Sequence, residues 1–112
     1  MGNCIVIVQF DLPKRTEEQA VKGATSSAPI YRNLATKGLI RKDYLNGEAG
    51  TGGVYLWDSR KSAEAWFTDE RVTELTKRFG ARPRLTWYDT HVTVDNPKDE
   101  TRVNGKPLVD AV

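Results

Sequence analysis

His91 is the only histidine of the 112-residue chain, and Asp89 lies two residues before it. On a regular strand the two side chains share a face. An aspartate near an imidazole holds its tautomer and raises its basicity, as a general base requires. Residues two apart on a strand are about 7 Å apart, so contact is not assured, and a strand-end histidine in solvent or at a subunit interface is the plainer alternative. Arg41, on a strand face shared with Leu39, Asp43 and Leu45, offers a guanidinium that can orient an anionic oxygen; its alternative is an ion pair at a subunit interface with Asp43 or Asp89 of either chain. Tyr31, Tyr44, Tyr55, Trp57, Trp66, Trp87 and Tyr88 supply rigid walls with polar tips, suited to holding a flat apolar molecule, although the tryptophans suit an ordinary core equally well. Cys4 is the only cysteine and lies in an apolar run, where it reads as a small buried hydrophobe. One histidine and one cysteine do not make a metal site, and no disulfide can form within the chain. No cofactor is expected.

These residues fall on an alternation of strands and helices. Cys4 to Phe10 is a dense β-branched run closed by Pro13. Thr16 is a natural N-cap for a first helix opening with Glu17 and Glu18; Gly23 and Thr25-Ser26-Ser27 weaken its middle, Pro29 marks a kink or a renewed first turn, and Gly38 ends it. Leu39 to Leu45 reads as a second strand and Gly53 to Trp57 as a third. The glycine-rich segment from Asn46 to Gly52 lacks the lysine and hydroxyl ending of a phosphate loop and is expected to be a flexible connection longer than two residues. Asp58-Ser59 caps a second helix, which the sequence around Thr68-Asp69 can split in two before Gly80. Arg82 to Val94 reads as a long final strand, and residues 95–112 as an irregular C-terminal arm, leaving residues 1–94 as the folded domain.

The composition, 38% hydrophobic and 29% charged with a net charge of +2, suits one domain with one core. Acidic and basic residues are interspersed, which argues against nucleic acid or an anionic membrane as partner. The basic stretch Lys77, Arg78, Arg82 and Arg84 reads as a solvated turn, because no aromatic platform is interleaved with it. The N-terminus has neither a basic leader region nor a span-length apolar run, so a cytoplasmic location is the expectation.

The order β-α-β-β-α-β is that of a ferredoxin-like α+β fold, a four-stranded antiparallel sheet with two helices on one face. Cys4 to Val8 is apolar at every position, and the third strand is apolar on both sides, so both sheet faces need cover. Two helices cover one. A second copy of the chain, packed sheet to sheet about a two-fold axis, is the economical cover for the other, and the C-terminal arm can then cross to the partner subunit. The alternative is that the arm folds back over its own sheet.

Gly38-Leu39-Ile40-Arg41-Lys42-Asp43-Tyr44, then Glu48-Ala49, Gly52-Gly53-Val54-Tyr55-Leu56-Trp57 and Ser62-Ala63 followed by Trp66, resemble the dimeric α+β-barrel superfamily of the antibiotic-biosynthesis monooxygenases, and most nearly its YdhR-type family. The resemblance runs from Cys4 to about Val94. It implies a homodimer with a pocket between helices and sheet that binds a small-molecule substrate. It also implies oxidation of an aromatic or enolisable, polyketide-like compound by molecular oxygen without metal, haem or flavin. His91, Arg41 and Asp89 are the catalytic candidates from the residues themselves. A non-oxidative isomerase or lyase on the same scaffold, and a non-catalytic small-molecule-binding module, stand as alternatives.

Overall fold

In the computed structural model, which describes residues 2–109, the first apolar run forms β1 (Asn3–Phe10). Its side chains alternate across the sheet. Cys4, Val6, Val8 and Phe10 are buried on one face, whereas Ile5 and Ile7 on the other are only half-buried. Thr16 caps α1 (Glu17–Arg32): its hydroxyl accepts from the Gln19 amide at 3.2 Å, and its own amide donates to the Gln19 side chain at 3.1 Å. That reciprocal capping box satisfies two otherwise orphaned donors. Thr16→Ala is expected to cost about 1 kcal/mol, read as a lowered thermal midpoint with an unchanged circular dichroism spectrum.

The serine and threonine cluster does not interrupt α1, because Thr25 and Ser26 turn their hydroxyls back onto the Val21 and Gly23 carbonyls. The helix runs through Pro29 and then tightens into a 3-10 turn (Asn33–Lys37) ended by Gly38 at φ 100°. The second helix is split, as α2 (Arg60–Trp66) capped by Ser59 and α3 (Asp69–Phe79) capped by Thr68.

β2 (Leu39–Gly47), β3 (Gly50–Trp57) and β4 (Arg84–Thr90) complete a four-stranded antiparallel sheet in the order β2-β3-β1-β4. This α+β architecture of four antiparallel strands and three helices is compatible with a ferredoxin-like fold. The β2–β3 connection is shorter than expected: Gly47 pairs with Gly50, leaving a two-residue turn of Glu48 and Ala49. The glycines belong to the strand. Gly52, at φ 151°, packs so close to the Val8 carbonyl that no side chain fits there.

A bulge at Ile40 is the main departure from a regular sheet. Leu39 pairs with Trp57 and Arg41 with Leu56, so Ile40 is the extra residue. The strand therefore changes face within one residue. Leu39 joins the helix-covered side, and so do Lys42 and Tyr44, while Arg41, Asp43 and Leu45 turn to the open side. The expected grouping of Leu39 with Arg41 is thereby broken.

The chain after Thr90 also differs from expectation. The strand stops there, and the segment read as an irregular arm forms a second, three-stranded antiparallel sheet: β5 (Val92–Asp95), β6 (Glu100–Val103) and β7 (Lys106–Pro107). Residues 110–112 of that arm lie outside the described residues. One face of the small sheet is ionic, with Arg102 donating to Asp95 at 3.1 Å and to Glu100, and the Asp95 carboxyl is held below its ordinary range by that bond. The other face carries Val92, Val94 and Val103, all exposed. The small sheet projects: the radius of gyration is 15.6 Å, against about 13 Å for a compact chain of this length. Among the described residues no helix is long and apolar enough to cross a membrane.

Candidate functional site

A cavity of about 270 Å³ lies between α1, α3 and the sheet. Val8 and Phe10 of β1, with Leu75 and Phe79 of α3, form an apolar end; Phe10 and Phe79 are 4.7 Å apart between ring centroids. The opposite end is built by Lys42, Tyr31, Tyr44 and Tyr55. A shallower groove of about 400 Å³ lies against the other side of the same Tyr31, Lys42 and Tyr44 cluster.

Lys42 is the chemical centre of this end. The bulge turns it under the helices, and its ammonium nitrogen lies 3.4 Å from the ring centroid of Tyr31, 4.0 Å from that of Tyr44 and 4.6 Å from that of Tyr55. No carboxylate forms a salt bridge with it among the described residues. Burial, first, and the charge of Arg78, second, lower its pKa from 10.5 to about 7. The ring faces return part of the lost hydration by cation–π attraction, yet an amine so placed exchanges its proton near neutrality. Gly53 makes the room: a Cβ at that position would lie 2.9 Å from Lys42 Cε and 3.2 Å from the Tyr55 ring. Gly53→Ala is therefore expected to push the flexible lysine off the ring faces and return its pKa toward 10.5, measured by NMR titration of the side chain.

The tyrosines are tied to one another. Tyr55, 4% exposed, donates to the Tyr31 hydroxyl at 3.4 Å, and burial raises its pKa far above that of an ordinary phenol. Tyr44 and Ser27 share a hydrogen bond of 2.8 Å, and burial raises the Tyr44 pKa as well. Both phenols therefore stay protonated at neutral pH; with the Tyr55 proton given to Tyr31, the Tyr31 and Tyr44 hydroxyls are the ones left to donate to an oxygen in the cavity. At the mouth, the loop bearing Arg15 is latched to β2 by Asn46, whose side chain accepts from the Arg15 amide at 2.8 Å and donates to the Arg15 carbonyl at 2.9 Å.

The residues expected to do chemistry separate into two groups. Tyr31, Tyr44 and Tyr55 line the cavity together. Trp57, Trp66 and Trp87 do not. Trp57 is 0% exposed in the core, stacked on Tyr55, and its indole N–H has no hydrogen-bond partner among the described residues. Trp66 packs against Arg71, whose guanidinium lies 3.5 Å from its ring centroid, and Trp87 lies beneath Arg60 at 5.3 Å. His91, Asp89 and Arg41 are also outside the cavity and apart from one another. β4 ends at Thr90, so the alternation that would align Asp89 with His91 ends too. Asp89 pairs with Arg60 at 3.3 Å, and His91 Nδ1 is 3.0 Å from the Asn104 side chain. Arg41 lies on the open sheet face in an ion pair with Asp43 of its own chain at 2.8 Å, and borders the shallower groove beside Lys42. Among the described residues no group of three histidine, cysteine, aspartate or glutamate side chains converges to hold a metal ion.

Lys42 was not foreseen, because a lysine in a strand ordinarily reads as a solvated residue. The available signal was the pairing of Lys42 and Tyr44, two apart, with a glycine and a tyrosine two apart on the neighbouring strand. Neither a protein-family model nor a curated protein matches the chain.

Proposed function

We propose that this protein is a cofactor-independent monooxygenase of a small, flat, enolisable aromatic compound, and that it works as a sheet-to-sheet homodimer of the dimeric α+β-barrel kind. The observation that carries the reading is the Lys42 amine, near-neutral in its acidity and enclosed by three tyrosines in a cavity of about 270 Å³. A cofactor-free oxygenase must take a proton from its substrate in a site shielded from water, and a neutral amine with a pKa near 7 is suited to that step. The resulting enolate is stabilised by the Tyr31 and Tyr44 hydroxyls and gives an electron to dioxygen. Recombination forms a carbon–oxygen bond at the deprotonated carbon, and the hydroperoxide loses water to leave a carbonyl. One methylene and one dioxygen become one ketone and one water. The cavity is slightly below the usual range for ligand pockets, about 300 Å³ upward, which limits the substrate to one or two rings.

The dimer is supported by the uncovered sheet face. Ile5, Ile7, Val54 and Leu56 are left half-buried there, and Tyr88 is 52% exposed beside them. Arg41 and Asp43, of opposite charge and adjacent on the same face, are self-complementary under a two-fold axis. The small three-stranded sheet leaves its valine face exposed in the single chain, so that face is best used as a strap on the partner.

Oxygen uptake by metal-stripped protein, measured with a panel of hydroquinones and enolisable aromatic ketones, tests the reaction. Substrate-dependent consumption with stoichiometric product is expected; none across the panel overturns it. Turnover of the same compounds without oxygen would instead assign Lys42 to proton transfer in an isomerase or lyase, and binding without product would make the protein a binding module.

A further inference from the structure

Three basic side chains line the cavity, and among the described residues no acidic one does. Lys42 lies within, while Arg15, from the loop before α1, and Arg78, from the last turn of α3, stand exposed at its mouth. Among the described residues neither arginine forms a salt bridge, and nor do Arg32, Arg82 and Arg84, whereas Arg41 pairs with Asp43, Arg60 with Glu64 and Asp89, Arg71 with Glu74 and Arg102 with Asp95 and Glu100. The charge of Arg78 is felt at Lys42, where it helps lower the pKa. Like charges gathered on one concave surface repel, and an anion among them relieves the repulsion.

The position of the charges is as informative as their number. The apolar end formed by Phe10, Leu75 and Phe79 suits a ring, and a guanidinium presents paired donors that match a carboxylate. Gly23 keeps the space for Arg15, since a Cβ there would lie 3.0 Å from its Nη1. We propose that the cavity selects small aromatic acids, seating the ring on Phe10 and Phe79, the carboxylate between Arg15 and Arg78, and a ring hydroxyl or carbonyl toward Lys42. This names the substrate class of the reaction proposed above and rests on that reading for turnover; binding of the acid does not depend on it.

The test compares para-hydroxybenzoate with para-hydroxybenzamide, which share shape but not charge, by isothermal titration calorimetry. The acid is expected to bind at least about tenfold more tightly, with an affinity that falls as salt is raised. Arg15→Gln and Arg78→Gln are each expected to remove most of that preference by weakening the acid far more than the amide; both side chains are exposed, so folding is checked simply by an unchanged melting curve. Equal affinities for acid and amide, a preference that survives the double variant, or no binding of the acid at millimolar concentration overturns the proposal, and inorganic phosphate binding as tightly as the acid overturns its aromatic part. Acid selectivity without oxygen uptake would sink the reaction alone. Oxygen uptake indifferent to ligand charge would sink only the selectivity.

Discussion

Lys42→Met is expected to abolish substrate-dependent oxygen uptake while making the protein more stable at neutral pH. Methionine nearly matches the shape of the lysine stem and fills the space between the tyrosine rings, but it carries no base. Loss of a positioned general base costs about a hundred- to ten-thousand-fold in rate. For the wild type, the rate should rise with pH through about 7, as Lys42 loses its proton, and then level. The stability gain has its own pH dependence. Lys42 titrates at about 7 when folded, below its ordinary 10.5, so between those values the unfolded chain holds a proton that the folded chain has lost. Stability must then rise with pH across that window and be lowest below it. The full gap corresponds to on the order of 5 kcal/mol. Lys42→Met removes this dependence, so the difference in unfolding free energy between variant and wild type should be largest at pH 7 and below and shrink toward pH 10. Denaturant titrations at several pH values measure it. A constant difference would mean that Lys42 is hydrated in the folded protein, and the amine would lose its place as the base.

Leu56→Glu on the open sheet face is expected to turn the dimer into a monomer. Leu56 pairs with Ile5 on the neighbouring strand, at the middle of the uncovered apolar patch. In a two-fold interface every substitution occurs twice, and an uncompensated buried charge costs about 3–5 kcal/mol. Association should therefore weaken by at least two decades in Kd, seen by light scattering across a dilution series. Val94→Asp, on the exposed face of β5, should weaken the same dimer to a lesser degree if the small sheet straps the partner. In the single chain Leu56 is only half-buried and Val94 is exposed, so the monomer should keep its fold. A wild-type chain that is monomeric at micromolar concentration would remove the dimer altogether, while leaving the Lys42 cavity and its test intact.

Much of the molecule follows from local rules that need no partner. The alternation of Cys4, Val6, Val8 and Phe10 determines which side of β1 is buried. Thr16, Ser59 and Thr68 cap helices because their hydroxyls reach amides three residues on, and Gly38 and Gly80 end helical segments because they tolerate positive φ. The clustering of tyrosines around a ligand-sized space was foreseeable in kind. Three tyrosines line it; the three tryptophans, larger and more apolar, went to the core and its edges.

Which residues meet was decided in three dimensions. A single extra residue at Ile40 reverses the face of everything after it, and strand periodicity contains no mark of a bulge. That reversal carries Arg41 out to the open side and Lys42 in beneath the tyrosines. His91 and Asp89 separate for a similar reason, because β4 ends between them and a new sheet begins. The sequence by itself determined the helices with their caps, the strands of the main sheet and the surplus of apolar sheet surface, but not the end of β4 or the second sheet after it. Only the tertiary structure, by register and by the space left at Gly53, decided that a lysine rather than the histidine lies among the cavity's tyrosines.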